Sequence, residues 1–203
     1  TALLPEDHLR DGGKYLSSVG RPIPGAAVRI VAPDGSDCPA GTAGEIYVRG
    51  PGRMLEYLDA PETTHAALVG GWYRTKDMGM LDAQGYLFLS GRADDLIISG
   101  GENIYPVQIE DFLAACPKVH DVAVIGLPDP RLGEIAAAII QVKEGETCTE
   151  EEINQFCMDL PRYKRPRKII FADVPRNPTG KIEKPKLREK YCGVRLVEAQ
   201  NQA

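Results

Sequence analysis

Two parts of the chain with different sequence patterns meet at the segment Gly91-Arg92-Ala93-Asp94-Asp95-Leu96-Ile97-Ile98-Ser99-Gly100-Gly101-Glu102-Asn103-Ile104-Tyr105-Pro106. Before this segment, short apolar runs are separated by Gly, Pro and Asp, which is the pattern of β-hairpins. After it, helical and strand-like patterns alternate. The segment itself combines charged residues, a short β-branched run and a Gly-Gly turn. It therefore indicates a joint between two folding units.

The two units are predicted to differ in architecture. Residues 1–93 contain strand patterns at 26–31 and 44–50 around a Pro33-Asp34-Gly35 turn, which predicts a small β-barrel-like subdomain of hairpins. In residues 94–203 we predict helices at 106–116, 149–160 and 184–190 and strands at 119–127, 135–142 and 168–172. This order predicts a compact α+β domain with a three-stranded sheet packed on helices.

Composition excludes several classes of function. The net charge is −5, with 24 basic and 29 acidic residues, so the chain lacks the basic character of a nucleic-acid-binding domain. The five cysteines have no metal-ligand spacing, so we predict free thiols, no metal site and a reducing, cytoplasmic location. No apolar run is long enough for a membrane span.

A predicted hairpin brings two charged residues together. With strands at 78–82 and 86–90 and a turn at 83–85, antiparallel register pairs Gly79 with Leu89 and Asp77 with Gly91, which sets Asp77 beside Arg92. A carboxylate and a guanidinium at one strand end suit a sugar diol. The alternative is a surface salt bridge that closes the hairpin.

A second candidate residue lies in Pro178-Thr179-Gly180-Lys181-Ile182. Lys181 is followed by Ile182 instead of Ser or Thr, and Pro175 occupies the position of the first glycine, so the segment is not a P-loop. A lysine on such a loop can reach into a site and neutralise charge during acyl or phosphoryl transfer. A solvated loop lysine is the alternative.

Three motifs in this order resemble those of the adenylate-forming enzymes, the superfamily of acyl-CoA synthetases, adenylation domains and luciferases. They are Tyr73-Arg74-Thr75-x-Asp77, Gly91-Arg92-x-Asp94-Asp95 and the Pro178 to Ile182 segment. The resemblance implies that Asp77 and Arg92 hold the ribose of ATP and that Asp94 is the hinge of a mobile C-terminal domain. It also implies that Lys181 contacts the carboxylate substrate and the α-phosphate. Lys76 stands where the family usually has glycine.

The resemblance further implies domain alternation between two steps, in which acyl-AMP forms first and a thiol then displaces AMP. In the second step the Gly100-Gly101 turn would line the pantetheine arm of CoA, because glycines leave room for a thin ligand. A tight turn explains the same pair. Arg165, in Tyr163-Lys164-Arg165-Pro166, resembles a residue that meets the CoA nucleotide, although a basic surface loop explains it equally well.

As a whole, the chain resembles the C-terminal portion of an ATP-dependent acyl-CoA ligase acting on a fatty or aryl acid. Residues 1–93 would be the last β-rich subdomain of a truncated N-terminal domain, and 94–203 the mobile domain. The Mg²⁺ ligand and most of the acyl pocket would precede Thr1, so we expect the isolated polypeptide to be inactive or nearly so and its docking faces to be unusually apolar. The alternatives are an adenylation domain that loads a carrier protein and a non-catalytic interaction module.

Overall fold

A computed structural model describes residues 1–193, and these form two compact units, the first from Thr1 to Asp94 and the second from Asp95 onward. The predicted boundary lies between residues 93 and 94, one position earlier. The end of the predicted second domain, residues 194–203, lies outside the described residues. None of the helices within residues 1–193 is long and apolar enough to cross a bilayer.

The first unit is built on one antiparallel sheet of five strands. The strands are β1 (Ala27–Val31), β2 (Gly44–Arg49), β3 (Leu68–Val69), β4 (Trp72–Leu81) and β5 (Leu87–Arg92). Helix α1 (Pro61–Ala67) precedes β3, and two 3-10 helices (Pro5–His8 and Arg10–Gly12) lie near the start of the chain. The long strand β4 is central, because β2 pairs along one part of it while β3 and β5 pair with its two halves.

Two packed groups hold this sheet together. Ile30, Ile46 and Leu87 are at least 96% buried and bring β1, β2 and β5 into one core cluster. The rings of Tyr15 and Tyr86 stack with their centroids 3.9 Å apart, and the Tyr86 hydroxyl donates to the carboxylate of Asp7. The buried carboxylate thus has a hydrogen-bond donor, as a buried polar group requires.

The second unit combines a mixed sheet with helices. Its elements are β6 (Ile97–Ser99), β7 (Glu102–Ile104), α2 (Pro106–Ala114), β8 (Val119–Asp129), β9 (Gly133–Val142), α3 (Glu150–Phe156), β10 (Lys168–Phe171) and α4 (Lys184–Cys192). Short 3-10 helices lie at Ala93–Asp95, Cys157–Asp159 and Arg162–Lys164. The predicted α+β class is confirmed. The three long strands are the predicted ones, and the short hairpin of β6 and β7 extends the sheet to five strands.

Strand β9 is the centre of the second sheet. It pairs antiparallel with β8 over its whole length and parallel with β10, which the chain reaches by crossing over through α3. Both faces are covered, because one core cluster includes residues of α2 and α3 and the other includes Leu187 of α4. Coverage on both faces explains why β8 and β9 are almost continuously apolar and do not alternate with polar residues.

Gly79 provides a test of the packing between strands of the first unit. A β-carbon at this position would lie 2.5 Å from the backbone oxygen of Phe88 and 2.9 Å from Cδ1 of Ile46. We therefore expect Gly79→Ala to lower the free energy of unfolding by about 1–3 kcal/mol, because strands must shift to admit the methyl group. Gly52→Ala is the control, since nothing lies within 4 Å of its β-carbon position. Urea titration of both variants measures the difference, and equal stability would contradict this packing.

Candidate functional site

The hairpin of β4 and β5 sets Asp77 directly opposite Arg92. The predicted pairing of Gly79 with Leu89 is confirmed, whereas the predicted pairing of Asp77 with Gly91 is wrong by one residue. Met78 pairs with Gly91 and Gly79 with Leu89, so Ser90 is an extra residue in β5 and forms a β-bulge. Because of the bulge, Asp77 and Arg92 become direct cross-strand partners.

The contact between these two side chains is open to solvent. Nη1 of Arg92 donates to Oδ1 of Asp77 at 3.2 Å, and the side chains are 51% and 43% exposed. An ion pair this exposed contributes little to stability. Its exposed donors and acceptors are therefore available to a ligand with hydroxyl groups. Thr75 fixes the local backbone, because its Oγ1 donates to the Ile46 carbonyl and accepts from the Asp77 amide.

A cleft of about 590 Å³ adjoins Arg92, and its polar lining includes Tyr57, Tyr73, Arg74 and Lys76. The hydroxyls of Tyr57 and Tyr73 lie 3.2 Å apart, and this hydrogen bond together with burial raises the pKa of Tyr73. Arg74 is already engaged, because Glu45 accepts two hydrogen bonds from its guanidinium, which raises the pKa of Arg74. Lys76 and Arg92 are thus the basic residues lining this cleft whose side chains are more than half exposed.

Asp77 itself borders a neighbouring, more apolar cavity of about 460 Å³, which Ile46, Val48 and Leu89 help to line. Asp77 and Arg92 thus each line one of two neighbouring cavities of the first unit, and their side chains meet between them. Tyr57 was not predicted as a site residue, because its only signal in the sequence is an aromatic residue shortly before a helix that begins with proline.

Lys76 adopts a left-handed backbone conformation with φ of 61°. This conformation favours glycine, the residue that the resemblance to the adenylate-forming enzymes implies at this position. Nζ of Lys76 lies 3.7 Å from Oδ2 of Asp94, and Nη2 of Arg92 lies 4.0 Å from the same oxygen. Asp94 is thus held loosely by two exposed cations of the first unit.

Asp95, the next residue, is held by the second unit. Nη2 of Arg188 lies 2.6 Å from Oδ1 of Asp95, and Nζ of Lys184 lies 3.8 Å from Oδ2. Lys184 also pairs with Glu110 at 2.8 Å, and Oε1 of Glu110 accepts from the amide of Val124 at 2.7 Å. This network joins the start of the unit to α4, α2 and β8.

Lys181 stands in a tight loop that follows β10. Oδ1 of Asn177 accepts from the amides of Thr179 and Lys181, and the Asn177 amide donates to the Lys181 carbonyl at 2.9 Å. Gly180 has a positive φ of 85°, which the turn requires. The backbone at Lys181 is therefore fixed by the loop, while its side chain is exposed.

Gly100 and Gly101 form the turn between β6 and β7, with φ values of 60° and 88°. Positive φ at both central residues is the requirement of a type I′ hairpin turn, so the turn alone accounts for the pair. A β-carbon at Gly100 would lie 3.1 Å from Cδ2 of Leu132, whereas the position at Gly101 is open. Contact of this turn with pantetheine stays a prediction.

Arg165 makes structural contacts with its own unit. Its guanidinium donates to the carbonyls of Leu160 at 2.9 Å and Met158 at 2.8 Å, and thereby satisfies acceptors at the end of the 3-10 helix Cys157–Asp159. Contact with a CoA nucleotide stays a prediction for this residue. In residues 1–193, no group of three or more His, Cys, Asp or Glu side chains is arranged to hold a metal ion.

The chain is similar in sequence to AMP-binding enzymes and acyl-CoA ligases. The family model described as AMP-binding enzyme matches residues 2–58, and that of the AMP-binding enzyme C-terminal domain matches residues 108–181. The chain is 46% identical to the long-chain-fatty-acid–CoA ligase FadD13 of Mycobacterium tuberculosis over 193 residues, which are 94% of this chain and 37% of that protein. It is 42% identical to the indoleacetate–CoA ligase of Aromatoleum aromaticum, over 93% of this chain and 37% of that one.

The fold is also similar to that of a solved structure. The o-succinylbenzoate CoA synthetase MenE of Bacillus subtilis, in complex with the acyl-adenylate intermediate OSB-AMP, matches with a TM-score of 0.84 and 34% identity. The match covers 92% of this chain and 37% of that chain. The chain thus spans about 37% of the length of each of these three proteins.

Replacing Lys76 with glycine tests the backbone assignment in this region. Lys76→Gly relieves the left-handed conformation and removes only an exposed ion pair, so we expect the free energy of unfolding to rise by about 0.5–1 kcal/mol. Lys76→Ala keeps the left-handed strain and is the matched control, with an expected change below about 0.5 kcal/mol. Thermal unfolding measures both variants. A glycine variant less stable than the alanine variant would contradict the conformation at Lys76.

Proposed function

Since the chain belongs to the superfamily of adenylate-forming enzymes, we propose that it is the C-terminal part of an AMP-forming acyl-CoA ligase. The observation that carries the proposal is the cross-strand contact between Asp77 and Arg92, exposed on the first unit. Asp77 accepts hydrogen bonds from the ribose hydroxyls of ATP, and Arg92 donates to the same sugar. The pair therefore holds the nucleotide through both steps of the reaction.

Lys181 acts in the first step only. The carboxylate of the acid attacks the α-phosphorus of ATP, the bond to pyrophosphate breaks, and acyl-AMP forms. Negative charge develops on the α-phosphate oxygens during this attack, and the ammonium group of Lys181 stabilises it electrostatically. Mg²⁺ would neutralise charge on the triphosphate, and its ligand belongs to a part of the enzyme that this chain does not contain. The loop hydrogen bonds of Asn177 hold the backbone of Lys181 in place for this role.

In the second step, the thiol of CoA loses its proton and its sulfur attacks the acyl carbonyl carbon, the bond from that carbon to the phosphate oxygen breaks, and AMP leaves. We propose that the second unit moves between the steps about Asp94, and that the open turn at Gly100 and Gly101 then lies along the pantetheine arm. The ion pairs of Asp94 with Lys76 and Arg92 are long, at 3.7 and 4.0 Å, which favours this residue as the hinge. Arg165 is proposed as a contact of the CoA nucleotide through the face of its guanidinium.

The acid is proposed to be fatty or aryl. Relatives named for a long-chain fatty acid and for indoleacetate support this class. The remaining part of the enzyme is proposed to pack on the first unit, which exposes large apolar side chains such as Leu9, Leu55 and Leu58 by about 85% each. The predicted cytoplasmic location remains part of the proposal.

The test uses the full-length enzyme and measures the two steps separately. Adenylate formation is followed by hydroxamate trapping across a panel of acids, and thioester formation is followed from preformed acyl-AMP with CoA or with a carrier protein. We expect Lys181→Ala to lower adenylation by about 100-fold or more, because one preorganised charge contact is lost. Thioester formation should stay within about threefold, since a residue that acts in one step leaves the other unchanged.

Asp77→Asn gives the contrasting result. Because the ribose is bound throughout, this variant is expected to raise KM for ATP and also to slow thioester formation. Lys186→Ala is the control for both variants, since Lys186 is an exposed lysine of α4 paired with Glu183. Unchanged adenylation in the Lys181 variant would show that Lys181 is a solvated loop residue. Faster transfer to a carrier than to CoA would favour the carrier-loading alternative.

A further inference from the structure

The loop that carries Lys181 is closed at its base by an ion pair with a distant strand. Residues 176 and 182 form an antiparallel bridge at the two ends of the loop. Nε and Nη2 of Arg176 donate to Oδ2 and Oδ1 of Asp121 at 2.6 and 2.8 Å, a bidentate contact across 55 positions of sequence. Nη1 of Arg176 also donates to the carbonyl of Gly180, the residue before Lys181.

Asp121 is well suited to anchor this loop. It lies in β8 beside a break in the pairing of β8 with β9, and its side chain is only 17% exposed. Burial by itself would raise the pKa of Asp121, but the hydrogen bonds from Arg176 and from the amide of Val122 outweigh it and lower the pKa. The carboxylate is therefore charged at neutral pH, and a bidentate guanidinium contact fixes direction as well as distance.

We propose that Arg176 and Asp121 are positioning residues for Lys181, an inference that rests on the proposed role of Lys181 in adenylation. The same guanidinium bonds to the sheet on one side and to the carbonyl next to Lys181 on the other. It thus connects the loop to the rigid part of the second unit through a single planar group. Without it, the hydrogen bonds of Asn177 keep the turn closed, but the loop is attached to the sheet only at its two ends, where Val174 donates to Oε1 of Gln141 and Ile182 packs against the core cluster of Leu187.

The expected consequence is kinetic. A lysine that must meet a developing charge loses much of its effect when it is displaced by about 1 Å, which can lower a rate by about 100-fold. Arg176 touches no reacting group, so its loss should lower the rate constant of adenylation and leave the binding of ATP and acid almost unchanged. The thioester step does not use Lys181 and should not respond.

The experiment measures both half-reactions in the full-length enzyme for Arg176→Ala, Asp121→Asn and the double variant, together with Lys181→Ala. We expect each single variant to lower kcat of adenylation by about tenfold, with KM values within about twofold and thioester formation from acyl-AMP unchanged. The double variant should be no slower than either single one, because both remove the same contact.

Arg176→Lys should recover part of the rate. Lys118→Ala, which breaks the comparable pair of Lys118 with Glu152, is the control and should behave like the parent.

A second measurement separates positioning from general destabilisation. Amide hydrogen exchange in Arg176→Ala should accelerate at residues 177–181 and stay unchanged in the strands of the second unit. If Arg176→Ala slows both half-reactions equally and exchange rises throughout the unit, the pair is merely structural and the inference is wrong. If Lys181→Ala abolishes adenylation while Arg176→Ala does not change it, the inference fails and the proposed function stands. If Lys181→Ala itself has no effect, both fail.

Discussion

The division of this chain into two units depends on a difference between two consecutive carboxylates: Asp95 is firmly bound and Asp94 only weakly. Asp95 is bonded at 2.6 Å to Arg188 and lies in a network with Lys184 and Glu110 that ties it to the helices of the second unit. Asp94 has only exposed partners of the first unit, at 3.7 and 4.0 Å. Because ion pairs this exposed are weak, the side-chain contacts of Asp94 oppose a change of its backbone conformation only slightly, whereas those of Asp95 tie it to the second unit. This asymmetry supports the proposal that Asp94 is the hinge.

Most of the proposed functional groups stand at the end of a strand or in a loop, and Asp77, within β4, lies directly opposite the last residue of β5. Asp77 and Arg92 are cross-strand partners near the end of a hairpin, and Lys181 lies on a loop whose base is joined to β8. Such an arrangement leaves the cores undisturbed, since Ile46 and Leu87 pack the first unit and Ile109 and Ile139 the second. The groups can therefore be exposed to substrates while the elements that carry them remain rigid. Mutations at these groups should consequently affect activity more than stability.

Local patterns allowed much of this structure to be predicted from the sequence. The turn at Gly85, the proline-started helix α2 and the capping box of α3 all depend on residues within a few positions of one another. The bulge at Ser90 was not predicted, because counting residues back from the turn assumes that each residue of one strand pairs with one residue of the other. The hairpin of β6 and β7 was missed because three-residue strands carry too short a pattern. The contact of Arg176 with Asp121 spans 55 positions, and only the folded chain brings these residues together.

The two units are proposed to move relative to one another about Asp94 between the two chemical steps. Energy transfer between dyes attached at residues 36 and 144, which are exposed on different units, tests this motion in the full-length enzyme. We predict one transfer efficiency with ATP and a non-reactive acid analogue, and a different one after a stable acyl-adenylate analogue and CoA are added. Asp94→Pro, which restricts the backbone at this position, should abolish the difference. The same efficiency in both ligand states of the unmodified enzyme would show that the units do not move about Asp94 between the steps.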